Sequence, residues 1–275
     1  MDIGGFDLAM INVTLPDGTV NEYAAGITCA EVITDALGKK NGCLAALVDG
    51  QEKDMSHEIH QSCKVEGIKA ESDAGMYILR HSTAHLLAQA VTELYPDAKP
   101  TIGPAIDRGF YYDFAMEPIT EADLKPIQKK MQELARRNFT VERIELDDSE
   151  LREHFATNSY KLEIIDDKIG EGTGSTIYKQ GDWYDLCLGP HVSNTGKLMF
   201  CKLTSVSSAY WRGDQNREQL VRIYGIVEPT KDALKQTLLR MEEAKKRDHR
   251  KLGRELQLFH LSLIHISEPT RQQPI

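Results

Sequence analysis

SDAGMYILRHSTAHLLAQAVTELYP, residues 72–96, decides how this chain is organised. At about 100° per residue, Leu79, Thr83, Leu86, Leu87, Ala90 and Leu94 fall on one apolar stripe, which predicts an amphipathic helix over 73–95. Pro96 ends it, because proline lacks the N–H that would continue the ladder. His81 and His85 lie roughly opposite the stripe, with Ala88 and Thr92, so they are expected off the main core face, toward water or a cleft. Two imidazoles one turn apart share a helix face and suit metal ligation. The general-base Glu of an HExxH motif is missing, however.

About a hundred residues later CLGPH (187–191) adds Cys187 and His191, separated by a turn at Gly189-Pro190. Three His and one Cys form an acceptable tetrahedral zinc set. The same residue types suit a metal-free pocket that holds water by hydrogen bonds. Asp185, in DWYDLC, would flank that pocket on an alternating strand, or else sit as a surface carboxylate at a strand edge.

Working outward, residues 1–68 are patterned from residue 7 as a small, independent α+β unit. INVTLPDGTVNEYAAG places two alternating runs around Pro-Asp-Gly, a hairpin. TCAEVITDALG reads as a short helix with Thr28 as N-cap, Glu31 three residues on and Gly38 at the stop. CLAALVDGQEKDM follows as strand, turn and a second short run, and the whole order suggests a β-grasp arrangement.

Beyond the long helix, IGPAIDRGFYYDF (102–114) predicts a bent hairpin, and TEADLKPIQKKMQELARRN (120–138) a helix capped by Thr120. DDSELREHFA (147–156) starts another short helix. YKLEIIDD, STIYKQGDWYDLCL, LMFCKLTSVSSAYW and EQLVRIYGIV read as strand-like runs. IGEGTGST (169–176) lies between two of them, not at the strand-to-helix turn a phosphate loop needs, and is read as a hairpin loop. From Pro229 to about Gln257 the pattern is one long charged helix. The fold class is therefore α+β: a small β-grasp domain, then an α+β domain with a mixed or antiparallel sheet, then a long helix.

A net charge of −9 disfavours a non-specific nucleic-acid binder. Charge is uneven: residues 1–70 carry eleven acids against five Lys or Arg, while AKKRDHRKLGR (244–254) carries six Lys or Arg against one Asp. Polyanion contact is thus expected to be local. Five cysteines, an odd number with no CxxC pair, argue against a disulfide framework and for a reducing, cytoplasmic setting. No basic N-terminal signal and no run of ~20 apolar residues is present, so no membrane role is expected.

HSTAH, IGPAIDRGFYYDF, DLCLGPH, SAYWRGD and KRDHRKLG, in this order and spacing, resemble the N-terminal half of bacterial threonyl-tRNA synthetases. The resemblance covers about residues 7–260. It implies a TGS domain over 1–68, an editing domain over 69–228 and a linker helix over 229–260. Alanyl-tRNA synthetase editing domains share the HxxxH and CxxxH pair and bind zinc there, whereas the threonyl-type site is thought to work without metal. No cofactor is therefore expected.

By the same resemblance His81, His85, Lys161, Cys187 and His191 are the catalytic set, with Asp185, Tyr112 and Gly103 shaping substrate binding. Were zinc bound, its ligands would be His81, His85, Cys187 and His191. The expected partner is threonine tRNA mischarged with serine. Serine lacks one methyl of threonine, and discrimination by one missing methyl is worth only ~1–3 kcal/mol, so a second, hydrolytic site is needed. Two alternatives stay open: a non-catalytic tRNA-binding or regulatory fragment, and a zinc-dependent alanyl-type deacylase acting in trans. The family's class II catalytic core, with its ATP and zinc, and its anticodon-binding domain have no counterpart in these residues, so the chain is expected to be monomeric. LSLIHISEPTR (261–271) resembles an in-frame translation of a sequencing-library adapter, and residues 261–275 are expected to be non-native.

Overall fold

The computed structural model describes residues 9–170 and 176–247. The chain divides into two compact units between Lys231 and Asp232.

In the first unit, β1 (Met10–Thr14) and β2 (Val20–Ala24) pair antiparallel across the Pro-Asp-Gly turn. Asp17 Oδ1 accepts the Thr19 N–H at 2.9 Å there, and Gly18 supplies φ +87°. β3 (Ile27–Thr28) leads into α1 (Cys29–Leu37), started by the predicted capping box in which Thr28 and Glu31 each accept the other's backbone N–H. β4 (Cys43–Val48), β5 (Gln51–Lys53), β6 (Glu58–Ile59) and β7 (Cys63–Lys69) follow. The sheet order is β2-β1-β7-β4-β5 with β1 and β7 parallel, and β3 pairs with β6 separately, as a β-grasp requires.

The segment is not the independent unit its pattern suggests. Val13, Val32, Ile33, Ala46 and Val65 pack together on the α1 side, but Leu44, Ala45 and Ile68 belong to the core built around the next helix. A register shift between Cys43 and Ala45 in the β4–β7 pairing lets consecutive β4 residues enter both cores, so this sheet is covered on two faces.

That next helix, α2 (Asp73–Leu94), is capped by Ser72, whose hydroxyl accepts the Gly75 N–H at 3.1 Å. The expectation of a one-sided amphipathic helix fails. Every residue from Ser82 to Val91 is buried, His85 included, while Leu94 at the end of the expected stripe is exposed. Ser82, Thr83, Ala84 and Ala88 are small enough for close approach of neighbouring elements, so the polar-looking side of α2 is a second buried face.

Around α2 lie β8 (Lys99–Pro100), β9 (Ala105–Ile106), β10 (Gly109–Ala115) and α3 (Leu124–Arg137), which enters through a 3-10 turn at Glu121–Asp123 capped by Thr120. β11 (Val141–Glu145), α4 (Asp148–His154), α5 (Ser159–Gly170), β12 (Thr176–Gln180), β13 (Trp183–Leu186), β14 (Cys201–Tyr210) and β15 (Gln219–Val227) complete the unit. Two antiparallel sheets result: β14-β15-β10-β8 with β9 beside β10, and β11-β12-β13. Phe110, Tyr112, Phe114, Leu86, Leu87 and Ile223 are all buried in the core between α2 and the first of them.

Two local readings are corrected. YKLEIIDD is part of helix α5, not a strand. Asn158 Oδ1 accepts the N–H groups of Tyr160 and Lys161 at 3.2 and 3.4 Å, which starts a helix. Burial of Lys161 and Ile165, four apart, then overrides the strand preference of the isoleucines. STIYKQGDWYDLCL is a β12–β13 hairpin turning at Gly181, not a single strand. The glycine-rich loop accordingly follows a helix; its residues 171–175 lie outside the described residues. In the second unit α6 (Lys231–Lys246) covers the first part of the expected linker helix. Most of the basic run 244–254 and the segment 261–275 lie outside the described residues.

Candidate functional site: a histidine–cysteine cluster in a cavity

A cavity of about 360 Å³ opens among α2, the 101–104 loop, β10, α5 and the end of β13. His81 and His85 enter from α2, Gly103 from the loop, Tyr112 from β10, Lys161 from α5, and Asp185 and Cys187 from β13 and the turn after it. Seven of the eight residues named from the sequence therefore line one space. The eighth, His191, is not among the lining residues: it is 2% exposed and sits behind Cys187 and the helix histidines.

Helix phase explains the first pair. His81 and His85 are one turn apart, and their rings meet edge to face at 5.3 Å. The His191 ring packs against both, at 4.5 and 4.3 Å between centroids. Cys187 Sγ lies 3.3 Å from His81 Nε2 and 3.1 Å from His191 Nε2, and it accepts the Gly189 N–H at 3.3 Å. On the far side of His191, Nδ1 is 3.0 Å from Ser82 Oγ, which itself accepts the Val192 N–H at 3.1 Å. Ser82 Oγ and His191 Nδ1 share one proton across that contact, while His191 Nε2 faces the sulfur.

Burial holds the His85 and His191 imidazoles well below the ordinary histidine range, and the mutual proximity of the three rings reinforces it. Both are neutral at pH 7. The ligand atoms of His81, His85, Cys187 and His191 all lie within 4.8 Å of one another. Three imidazole nitrogens and a sulfur at that spread fit a zinc ion in donor type and number.

The second half of the site is ionic. Lys161 Nζ is 2.5 Å from Asp185 Oδ1, and the two side chains are 3% and 2% exposed. Tyr112 donates its hydroxyl proton to Asp185 Oδ2 at 2.5 Å and accepts from Lys161 Nζ at 3.1 Å. The Leu186 N–H completes Asp185 Oδ1 at 2.8 Å, and His85 Nε2 stands 3.9 Å from Oδ2. Burial first, and the Asp185 charge second, push the Tyr112 phenol well above its ordinary value, so it stays a donor. The reading of Asp185 as a possible surface carboxylate is overturned: although β13 is the edge of its three-stranded sheet, Asp185 is 1% exposed, packed against Lys161 of α5 and Tyr112 of β10.

Gly103 is needed for close approach, since a Cβ there would fall 2.1 Å from the Tyr112 ring. Gly189, at φ +73°, likewise lets the Cys187–His191 turn pass against Tyr178. Sequence reasoning missed Ser82, Asp54 and Tyr178. Ser82 lay inside a quoted motif, but only the fold brings it to His191; Asp54 and Tyr178 carried no local signal.

Residues 11–69 match the TGS domain family, and residues 175–224 match the family described as threonyl and alanyl tRNA synthetase second additional domain. The chain is 49% identical over 254 residues to a threonine–tRNA ligase of Alkalilimnicola ehrlichii, covering 90% of this chain and 39% of that protein. A Saccharophagus degradans threonine–tRNA ligase is 49% identical over 253 residues, with 90% and 40% covered. One from Legionella pneumophila is 48% identical over 257 residues, with 91% and 40% covered. The chain thus spans about two fifths of the length of the curated relatives it matches. Across 90% of its own length the chain is similar to threonine–tRNA ligases, and it carries a match to the TGS domain followed by one to the threonyl and alanyl tRNA synthetase second additional domain.

Proposed function

We propose that this chain carries a proofreading site that hydrolyses the ester of threonine tRNA mischarged with serine. The observation that supports it most is one cavity holding a histidine pair, a cysteine and a buried lysine–carboxylate pair. Ester hydrolysis needs a group to take a proton from water and a cation for the charge that develops on the carbonyl oxygen.

In this reading water oxygen attacks the seryl carbonyl carbon while an imidazole of His81 or His85 accepts its proton. The Lys161 ammonium faces the developing oxyanion. Collapse breaks the bond between the carbonyl carbon and the ribose oxygen; that oxygen takes the proton back from the imidazole, and serine and free tRNA leave. Asp185 and Tyr112 fix Lys161 in place. Asp185 already binds Lys161 and Tyr112, so we assign it to orienting the cation as well as to reading the seryl amine or hydroxyl. The extra methyl of threonine is excluded by the cavity wall at Gly103 and Tyr112. The whole ligase's aminoacylation is not assigned to these residues. A monomeric, cytoplasmic protein is part of the same proposal; among the described residues no helix is long and apolar enough to cross a membrane.

The donor set also suits zinc, which His81, His85, Cys187 and His191 would hold and which would polarise a bound water. We favour the metal-free site because the similarity runs to threonine–tRNA ligases. The test is serine release from mischarged threonine tRNA by the purified chain, set beside a His81→Ala/His85→Ala double variant. Unimpaired release in the variant contradicts the assignment.

A further inference from the structure

The turn that carries Cys187 and His191 is held from outside its own domain. Asp54, in the bend between β5 and β6, lies within the TGS-matched residues, whereas Tyr178 and His191 lie within the second-domain match. Asp54 Oδ1 accepts the His191 backbone N–H at 2.9 Å, and Asp54 Oδ2 accepts the Tyr178 hydroxyl at 2.6 Å. Tyr178 is 2% exposed, its ring lies 4.4 Å from the His191 ring, and its hydroxyl sits against the Gly189 backbone, where a Cβ would come within 1.8 Å. One carboxylate therefore closes a ring of contacts around Gly189-Pro190-His191.

The consequences reach the reacting groups in one step. His191 Nε2 and the Gly189 N–H both address Cys187 Sγ, so the position of that turn sets the sulfur beside His81. Resting on the editing reading, we propose that Asp54 is a positioning residue for the hydrolytic site: the TGS domain supplies the clamp that fixes the Cys187–His191 turn. The TGS domain is then part of the site's construction. Charge makes the clamp effective, because a carboxylate accepting two donors holds them more strongly than a neutral acceptor.

Asp54→Ala removes both acceptors and leaves a buried tyrosine hydroxyl and a backbone N–H unpaired. Asp54→Asn keeps one oxygen for the His191 N–H and turns an amide toward Tyr178 Oη. The test uses the full chain with two readouts: hydrogen exchange at the His191 amide, and steady-state deacylation of seryl-tRNA. Expected for Asp54→Ala is exchange at His191 faster by tenfold or more, with kcat lowered about tenfold and KM within twofold; Asp54→Asn, which keeps the His191 acceptor without the charge, restores part of both. Exchange at His191 unchanged in Asp54→Ala overturns the clamp. Faster exchange with unchanged kcat overturns its role in hydrolysis, and a loss that Asp54→Asn does not restore, accompanied by faster exchange throughout the chain, overturns the specific role in favour of general destabilisation. If the wild-type chain hydrolyses nothing, the editing reading and the hydrolytic role fall together, while the exchange readout still decides whether the clamp exists.

Discussion

Replacing Lys161 by Met should cost far more than a surface charge would. Its ammonium lies 2.5 Å from Asp185 Oδ1, and both side chains are almost fully buried. At an effective dielectric of about 20, two unit charges at that distance attract by roughly 7 kcal/mol, against a desolvation penalty of several kcal/mol per ion. The net worth of the pair is therefore small, but stranding one member is costly. Lys161→Met leaves the Asp185 carboxylate, among the described residues, with Tyr112 and the Leu186 N–H as close hydrogen-bond donors. A loss of about 3–5 kcal/mol is expected for either Lys161→Met or Asp185→Leu alone. The Lys161→Met/Asp185→Leu pair should lose no more than either single variant, because no uncompensated charge remains. Urea unfolding of the full chain, followed by tryptophan fluorescence, gives the three values. Single losses below about 1 kcal/mol, or a double loss equal to their sum, would refute a coupled buried pair. Seryl-tRNA hydrolysis should fall in all three variants, stable or not.

Stability should also fall as the solution is acidified below the ordinary histidine range. Burial holds His85 and His191 neutral in the folded state, well below the ordinary histidine range, so the unfolded chain binds the extra protons. The contribution is fully present above about pH 6.5 and is lost as pH drops. Thermal unfolding from pH 7.5 to 5 should show it, and a His85→Gln/His191→Gln variant should flatten the slope. Gly189→Ala forces a side chain onto φ +73° and within 1.8 Å of Tyr178 Oη. It should destabilise by at least ~1–3 kcal/mol and be partly rescued by Tyr178→Phe, as read by thermal melts. For metal, elemental analysis of purified protein should find well under one zinc per chain; stoichiometric zinc that disappears in His85→Ala contradicts the metal-free site.

Local chemistry made part of this fold legible. Thr28 with Glu31 announces α1, Pro-Asp-Gly announces the first hairpin, and Thr120 announces the entry to α3; each turned out where its capping or turn chemistry put it. Failures came where tertiary contacts decide. Ala88, opposite the apolar stripe, suggests an exposed helix face, yet the fold buries it together with Ser82, and His85, expected toward water or a cleft, is buried while lining the cavity. α5 was hidden because its isoleucines suggest a strand, while Asn158 and the buried Lys161 speak for a helix only once the pocket exists. For the site, residue types and spacing led to the His and Cys set, and family resemblance led to Lys161, Tyr112 and Gly103. The Asp185–Lys161–Tyr112 bonding and the Asp54 clamp join residues tens of positions apart. No local pattern encodes such pairings.

Release of serine from threonine tRNA charged with serine, measured with this chain alone, tests the proofreading site most directly. A hydrolytic site of this construction should release serine well above the spontaneous rate, act little on the threonyl ester, and lose the activity in the His81→Ala/His85→Ala variant. Release no faster than in buffer, or equal release by that variant, would contradict it.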